Sequence, residues 1–326
     1  PLLTDPYWPK KVLSGHPERI RPCIGCHTGC LGRGFEGKPL SCTVNPAVGR
    51  EREHEIRSVS KAKNVMIVGG GVAGMEAARV ASLRGHKVTL YEASKELGGE
   101  VILASVPDFK ADDRRLIDWY KNEMKELKVK VVFNKTVTED VVKKEKPDVV
   151  IVATGASEVK INVPGIEKSK VAASTEILSG SKKAGENVLM VGGGLVGCET
   201  ALYLAEQGKK VTIVEARDHI LSAGKTIPHM NRSMLIDLLK KYKIGIITNS
   251  SLSEITDSGA VLIDNRFKKH DIDCDTVIIA VGFKANRDLY DKLYGKFVDL
   301  YLIGDASKAA NIMDAIWSGN EIGLNC

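Results

Sequence analysis

Four cysteines in one short stretch, Cys23, Cys26, Cys30 and Cys42, read C-x2-C-x3-C-x11-C within PCIGCHTGCLGRGFEGKPLSC. Thiolates are soft ligands, and four of them brought together by glycine-rich turns suit an iron–sulfur cluster or a zinc ion. Zinc sites favour C-x2–4-C pairs split by a longer loop. Three cysteines within eight residues plus one more fit a cluster better. His27 sits among them and is read as a neighbour, because four thiolates already fill the ligand set. Cys198, Cys274 and Cys326 are scattered and read as packing thiols. An odd total of seven, with four clustered, points to metal in a reducing compartment and not to disulfides. A cytoplasmic protein is therefore expected.

The elements that must position this chemistry show themselves as an internal repeat. Residues 64–93 match residues 187–216 at fifteen of thirty positions. Each copy reads as a buried strand, a G-x-G-x-x-G turn, a helix, and a second strand ending in Glu. The glycines are Gly69, Gly71 and Gly74 in the first copy, and Gly192, Gly194 and Gly197 in the second. The acid, Glu92 or Glu215, follows the first glycine by 23 residues in both. In this fingerprint the first glycine makes a tight turn, the second admits a pyrophosphate, and the third lets helix and strand pack closely. The helix N-terminus offers its N–H groups and partial positive charge to that pyrophosphate, and the acid accepts hydrogen bonds from a ribose.

Two more apolar strands follow at matching places, DVVIVATG ending at Gly155 and DTVIIAVG ending at Gly282. Near the end YLIGDAS places Gly304 and Asp305 after a strand, before a helix expected over Ile312–Leu324. Asp112–Lys130 carries apolar residues at amphipathic helical spacing and reads as a core-packed helix. The reading is α/β, with two Rossmann-like dinucleotide-binding domains, one inserted in the other, preceded by an iron–sulfur segment. Expected bounds are 1–60 for the linker and cluster segment, 61–158 plus 286–326 for the first nucleotide domain, and 159–285 for the second.

Composition narrows the function classes. The chain has 326 residues, 43% hydrophobic and 27% charged, with a formal charge of +6. The positive charge is spread over helix faces, as at Lys121, Lys125, Lys143 and Lys144, with no basic block interleaved with aromatics. Nucleic-acid binding is therefore not expected. No apolar run reaches the roughly 18 residues of a membrane span, so no membrane partner is expected.

The paired fingerprints, the ATG and AVG strands and the Gly304–Asp305 motif resemble the two-dinucleotide flavoprotein disulfide-reductase fold. That resemblance implies FAD at the first site, held by Gly69, Gly71, Gly74, Glu92, Gly98, Gly99, Gly155, Gly304 and Asp305. A nicotinamide nucleotide would take the second, at Gly192, Gly194, Gly197, Glu199, Glu215 and Gly282. The redox-active C-x-x-C pair of many such reductases is missing, and Cys198 stands alone in the second fingerprint. Glu215 can bind two ribose hydroxyls and repels a 2′-phosphate. NADH is thus favoured over NADPH, although Arg217 lies two residues on. Glu199, in the first helical turn, reads either as a helix-dipole partner or as a group near the nicotinamide.

With the cysteine spacing added, the whole chain resembles a narrower family, the iron–sulfur flavoenzymes related to old yellow enzyme. These include 2,4-dienoyl-CoA reductase, the 2-enoate reductases and trimethylamine dehydrogenase. The resemblance implies one 4Fe-4S cluster on Cys23, Cys26, Cys30 and Cys42, exchanging electrons with an FMN in an N-terminal barrel. Such a barrel needs ~250 residues, and only 63 precede the first strand. FMN is therefore expected on a separate barrel domain or subunit, and a homo-oligomer is left open. The implied function is an electron-input module, passing electrons from NADH through FAD and the cluster to FMN, for reduction of an activated C=C bond. Two alternatives stay open. One is a non-catalytic nucleotide-binding module of an amine-dehydrogenase-like enzyme, whose first site binds bare ADP. The other is a free-standing reductase like the small subunit of glutamate synthase.

Overall fold

The computed structural model describes residues 2–326. They divide into two compact units, one running to Ser157 and resuming over Ala285–Cys326, the other spanning Glu158–Lys284.

The first unit begins with the cysteine segment, which has only short helices, α1 (Trp8–Leu13) and α2 (Leu31–Phe35). Regular structure starts with β1 (Asn64–Val68), α3 (Val72–Leu83) and β2 (Lys87–Tyr91). Then come α4 (Glu100–Ala104), α5 (Ala111–Glu126), β3 (Lys130–Val132), α6 (Glu139–Glu145) and β4 (Val149–Val152). The chain leaves through β5 (Ala156–Glu158).

The second unit runs through β6 (Val171–Ala173), α7 (Ser174–Leu178), β7 (Asn187–Val191), α8 (Leu195–Glu206), β8 (Lys210–Val214), α9 (His229–Lys241) and β9 (Gly245–Ile247). A meander of β10 (Ser250–Ile255), β11 (Gly259–Asp264) and β12 (Lys269–Asp273) follows, then β13 (Thr276–Ile279) and β14 (Phe283–Ala285), which pairs with β5. The first unit closes with α10 (Asp288–Leu293), β15 (Leu300–Leu302) and α11 (Ile312–Asn325).

Both main sheets are parallel and five-stranded, in the orders β15-β4-β1-β2-β3 and β6-β13-β7-β8-β9. In the first sheet the chain starts at the central β1, winds outward to β3 and then crosses back to β4; in the second it enters at the edge strand β6, runs from the central β7 outward to β9, and then crosses back to β13. The reversal lies between β1 and β4, and again between β7 and β13. In doubly wound sheets, ligands bind beyond the strand C-termini at such a switch point. The strands VMIV and VLMV are buried on both faces, as parallel sheets covered on both sides require. In the first unit α3, α5 and α11 cover one face, and Val142 of α6 and Leu293 of α10 join the core on the other. In the second, α8 and α9 cover one face and the β10–β12 meander packs Leu252, Ile255 and Leu262 against the other.

Inside the first core lies a set of polar groups that periodicity cannot reveal. Glu76 of α3 is 0% exposed and takes a forked pair of bonds from Arg79, at 2.9 and 2.8 Å. Tyr120 of α5 donates to it at 3.1 Å and Asn320 of α11 at 2.9 Å. Three helices thus converge on one carboxylate. Among the described residues, no helix is long and apolar enough to cross a membrane.

Burial opposes ionisation of Glu76, but the adjacent Arg79 charge and its bonds outweigh that, holding the carboxyl below its ordinary value. A carboxylate with a depressed folded pKa adds stability above its unfolded pKa and loses it as pH falls through the folded one. Glu76→Ala, which strands the Arg79 charge, is expected to cost about 3–5 kcal/mol at neutral pH in a denaturant titration. The gap from wild type should narrow below the carboxylate range. An unchanged midpoint would show that the network is dispensable.

Candidate functional site

Each G-x-G-x-x-G turn sits at the C-terminal end of its central strand, at the switch point. Gly69 has φ +114°, and a Cβ there would lie 2.1 Å from the Ala153 carbonyl oxygen at the end of β4. Gly192, at φ +110°, stands in the same relation to Ala280 beyond β13, at 2.4 Å. The third glycines, Gly74 and Gly197, lie so close to the carbonyls of Gly69 and Gly192 that a Cβ would come within 1.9 and 2.0 Å. The second glycines, Gly71 and Gly194, are the N-caps of α3 and α8, and neither helix start is capped by a side chain. No acidic residue occupies either first turn at the start of these helices. Main-chain donors and the positive helix end therefore face outward, which is the arrangement that receives an anion.

The two acids do more than the sequence indicated. Glu92 accepts from the Gly70 N–H at 2.7 Å and from the Ser94 N–H at 2.7 Å. Glu215 accepts from Gly193 at 2.7 Å and from Arg217 at 2.9 Å. Each carboxylate thus ties its own fingerprint loop to the end of the second strand. The fingerprint alone does not flag Gly70 and Gly193, whose N–H groups make these ties. The Arg217 guanidinium turns to the Ser222 carbonyl, at 3.0 Å.

The remaining candidates fall at the same sheet ends. Gly98 donates to the Gly70 carbonyl at 2.9 Å and forms a parallel bridge with Gly71, so the Gly98–Gly99 pair lies against the first turn. Gly155 and Gly282 follow the exits of β4 and β13, and their carbonyls accept from Asn286 and Val159, each at 2.9 Å. Asp305 lies in a 3-10 turn after β15 and accepts from the Ala310 N–H at 3.1 Å. Burial pushes its carboxyl up. Glu199, expected in the first turn of α8, lies just beyond it and is half-buried. Beside it Cys198 is fully buried, and burial, reinforced by the Glu199 and Glu215 charges, pushes its thiol up to about 12.

In the cysteine segment, Cys23 is exposed, Cys26 and Cys30 are half-buried, and Cys42 is buried. The Ser41 N–H and hydroxyl donate to the Gly29 carbonyl at 2.8 and 3.0 Å. A Cβ on Gly29 would lie 2.8 Å from the Cys42 Cα, so the turn carrying Cys26 and Cys30 rests on the Cys42 backbone. The Cys26 Sγ lies 3.1 Å from the Thr43 hydroxyl. Burial raises the Cys42 thiol, while backbone amides and the Arg21 charge pull it back. Among the described residues, no three His, Cys, Asp or Glu side chains converge tightly enough to hold a single metal ion. The aromatic and arginine side chains that hold this segment, Trp119, Trp317, Arg21 and Arg50, carry no local sequence signal; Trp317 and Cys42 are 275 positions apart.

Two nucleotide fingerprints at two switch points define a nucleotide-dependent oxidoreductase. Residues 63–317 match the family described as Pyridine nucleotide-disulphide oxidoreductase, and the chain belongs to that family, whose sites take FAD and NAD(P)H. It is 45% identical over 325 residues to the cinnamate reductase of Clostridium sporogenes, covering 100% of this chain and 48% of that protein. It is 38% identical to the NADH oxidase of Thermoanaerobacter brockii, covering 98% and 50%. The solved structure of a 2-naphthoyl-CoA reductase superposes with a TM-score of 0.95 at 35% identity, covering 100% of this chain and 49% of that one. The chain therefore spans about half the length of the relatives it matches. The resemblance to iron–sulfur flavoenzymes related to old yellow enzyme holds over its whole extent.

Gly197→Val would drive a side chain into the Gly192 carbonyl and displace the second turn. The Kd for NAD(P)H, read by calorimetry, is expected to rise at least tenfold, about 1.4 kcal/mol, with flavin content unchanged. Unaltered affinity would remove this turn from the nucleotide site.

Proposed function

We propose that this chain is an NADH-oxidising electron-input module, passing electrons from NADH through FAD and a 4Fe-4S cluster to an FMN on a partner barrel domain or subunit. The first unit would hold FAD and the inserted unit NADH. The observation that carries the reading is the pair of uncapped, glycine-lined helix starts, both in the same chain as a four-cysteine segment locked onto the first unit. When bound, these groups supply hydride acceptance and its division into single-electron transfers; no side-chain acid or base is required for that.

The chain's residues position and select. Gly69, Gly71 and Gly74 would cradle the FAD pyrophosphate, with Glu92 on the ribose and Asp305 toward the ribityl chain. Gly192, Gly194 and Gly197 would do the same for NADH. Glu215 favours free ribose hydroxyls over a 2′-phosphate, and the engagement of Arg217 with Ser222 supports that preference. Glu199 would lie toward the nicotinamide. On the cysteine segment, Leu13, Phe35 and Tyr7 are 88%, 70% and 67% exposed. Such apolar side chains suit a face that a partner domain covers. In the whole protein, the names of the cinnamate and 2-naphthoyl-CoA reductases support an activated C=C bond as the final acceptor, in a cytoplasmic enzyme.

The test is an anaerobic titration of the reconstituted chain with NADH and NADPH, following flavin absorbance and the spin signal of a reduced cluster. Flavin bleaching and a cluster signal, at lower NADH than NADPH, are expected. Cys42→Ser should abolish the cluster signal and leave flavin bleaching intact. Glu215→Gln should narrow the NADH preference. A flavin unreactive to both nucleotides would sink the proposal.

A further inference from the structure

Just past Cys42, every second carbonyl is taken by a side chain from elsewhere in the first unit. Trp317 Nε1 donates to the Cys42 oxygen at 3.0 Å, Arg21 Nη1 to Val44 at 2.6 Å, and Arg50 Nη2 to Pro46 at 2.9 Å. Both arginines are also stacked on indoles. The Arg21 guanidinium lies 4.6 Å from the Trp119 ring centroid, and that of Arg50 lies 4.2 Å from the Trp317 ring. Trp119 is itself fixed by a bond from Nε1 to the Arg19 carbonyl, at 3.0 Å. Two arginine–tryptophan clamps therefore grip one short segment, one rooted in α5 and the other in α11.

The clamps differ from the other buried cation nearby. Arg79 is neutralised by its forked pair with Glu76. Neither Arg21 nor Arg50 makes an ion pair with a carboxylate among the described residues; their direct partners are carbonyls and ring faces. The Glu76 and Glu123 carboxylates act on Arg21 through space without touching it, so two positive charges with no carboxylate in direct contact are held rigidly beside the segment that begins with a buried cysteine. Guanidinium holds its charge at any working pH, and its planar fork combines stacking with directed bonds.

We propose that Arg21 and Arg50 set the reduction potential of the group bound by Cys23, Cys26, Cys30 and Cys42, by favouring its reduced form. The proposal rests on the reading that these thiolates hold a 4Fe-4S cluster. Reduction adds one negative charge to a thiolate-bound group, and a fixed cation nearby in a partly dry surrounding stabilises the added charge. Removing either cation therefore lowers the potential. Both are positioning residues, acting through the field at the thiolates and not through contact with a substrate.

The experiment is a spin-resonance-monitored redox titration of the full chain, loaded anaerobically with iron and sulfide, for wild type, R21Q, R21K, R50Q, R50K and the exposed control R57Q. R21Q and R50Q are each expected to cut the reduced-to-oxidised ratio at a fixed potential about tenfold, ~59 mV for a one-electron couple. R21K and R50K should recover most of that shift, and R57Q should titrate as wild type. Gln variants that load iron and titrate at the wild-type potential overturn the proposal. So do Lys variants shifted as far as Gln, which would assign the effect to the lost fork and stack. Gln variants that fail to load, with or without the Lys variants, show a role in holding the group and overturn the proposal. Wild type that takes up no iron is a separate result, and it removes the cluster reading itself.

Discussion

A contact between two glycines, the third of each fingerprint on the carbonyl of the first, fixes the start of the helix over the end of its strand. Everything at the nucleotide sites depends on that approach. At Gly74 and Gly197 a single carbon more would occupy the carbonyl's place. Because the approach is possible, α3 and α8 begin with backbone donors facing outward and no side chain capping them. The sheet then supplies the rest of each site. Doubly wound sheets bind ligands where the strand order reverses, and the exits of β4 and β13 bring Gly155 and Gly282 to that point. The acids at the ends of β2 and β8 hold the turns from behind by accepting from Gly70 and Gly193. One local contact, used twice, thus generates two comparable sites.

The cysteine segment has almost no regular structure and could not hold its own shape through backbone ladders. Its order is borrowed from the first unit. Hydrogen bonds from Trp317, Arg21 and Arg50 reach its main chain, and Trp119 carries one of the stacked guanidinium groups. Behind Trp119, the helices it packs among meet at Glu76, so the rigidity of the segment and the integrity of the buried ion pair belong to one packed body. Individual hydrogen bonds of this kind contribute about 1 kcal/mol each and bonds to charged groups somewhat more. Three of them return less than the ~1–2 kcal/mol per residue that ordering a loop costs, so the burial of Cys42 and Val44 in the first core has to contribute as well.

Much of this was legible before any coordinates. The fingerprint glycines, the acids at equal offsets and the apolar strands ending in ATG and AVG are short-range patterns, and each reports a physical demand of one turn or strand. The helix expected over Ile312–Leu324 runs over Ile312–Asn325, and the amphipathic stretch from Asp112 forms α5 as Ala111–Glu126. What the sequence hid is what depends on distant partners. Glu76 and Arg79 look like an ordinary i, i+3 surface pair, and only the approach of Tyr120 and Asn320 makes them a buried centre. The second task of Glu92 and Glu215, tying their own loops, is invisible because main-chain donors leave no residue-type signature. The arginine–tryptophan clamps join positions far apart in the chain, and one sequence without relatives aligned to it gives no means of pairing them.

Cys198 occupies a place where many proteins would be vulnerable to oxidants, in the helix turn of the second fingerprint. Its thiol donates to the Gly193 carbonyl at 3.4 Å and is wholly enclosed. Oxidation and alkylation proceed through the thiolate. Burial pushes the thiol up to about 12, so it stays protonated near neutrality. Peroxide and electrophiles would thus find no target at the second fingerprint. The exposed cysteine, Cys23, lies instead at the other end of the chain. In an oxygen-exposed cell the nucleotide-binding turn would outlast the cysteine segment, so ageing of the protein would separate its two capacities instead of destroying both together.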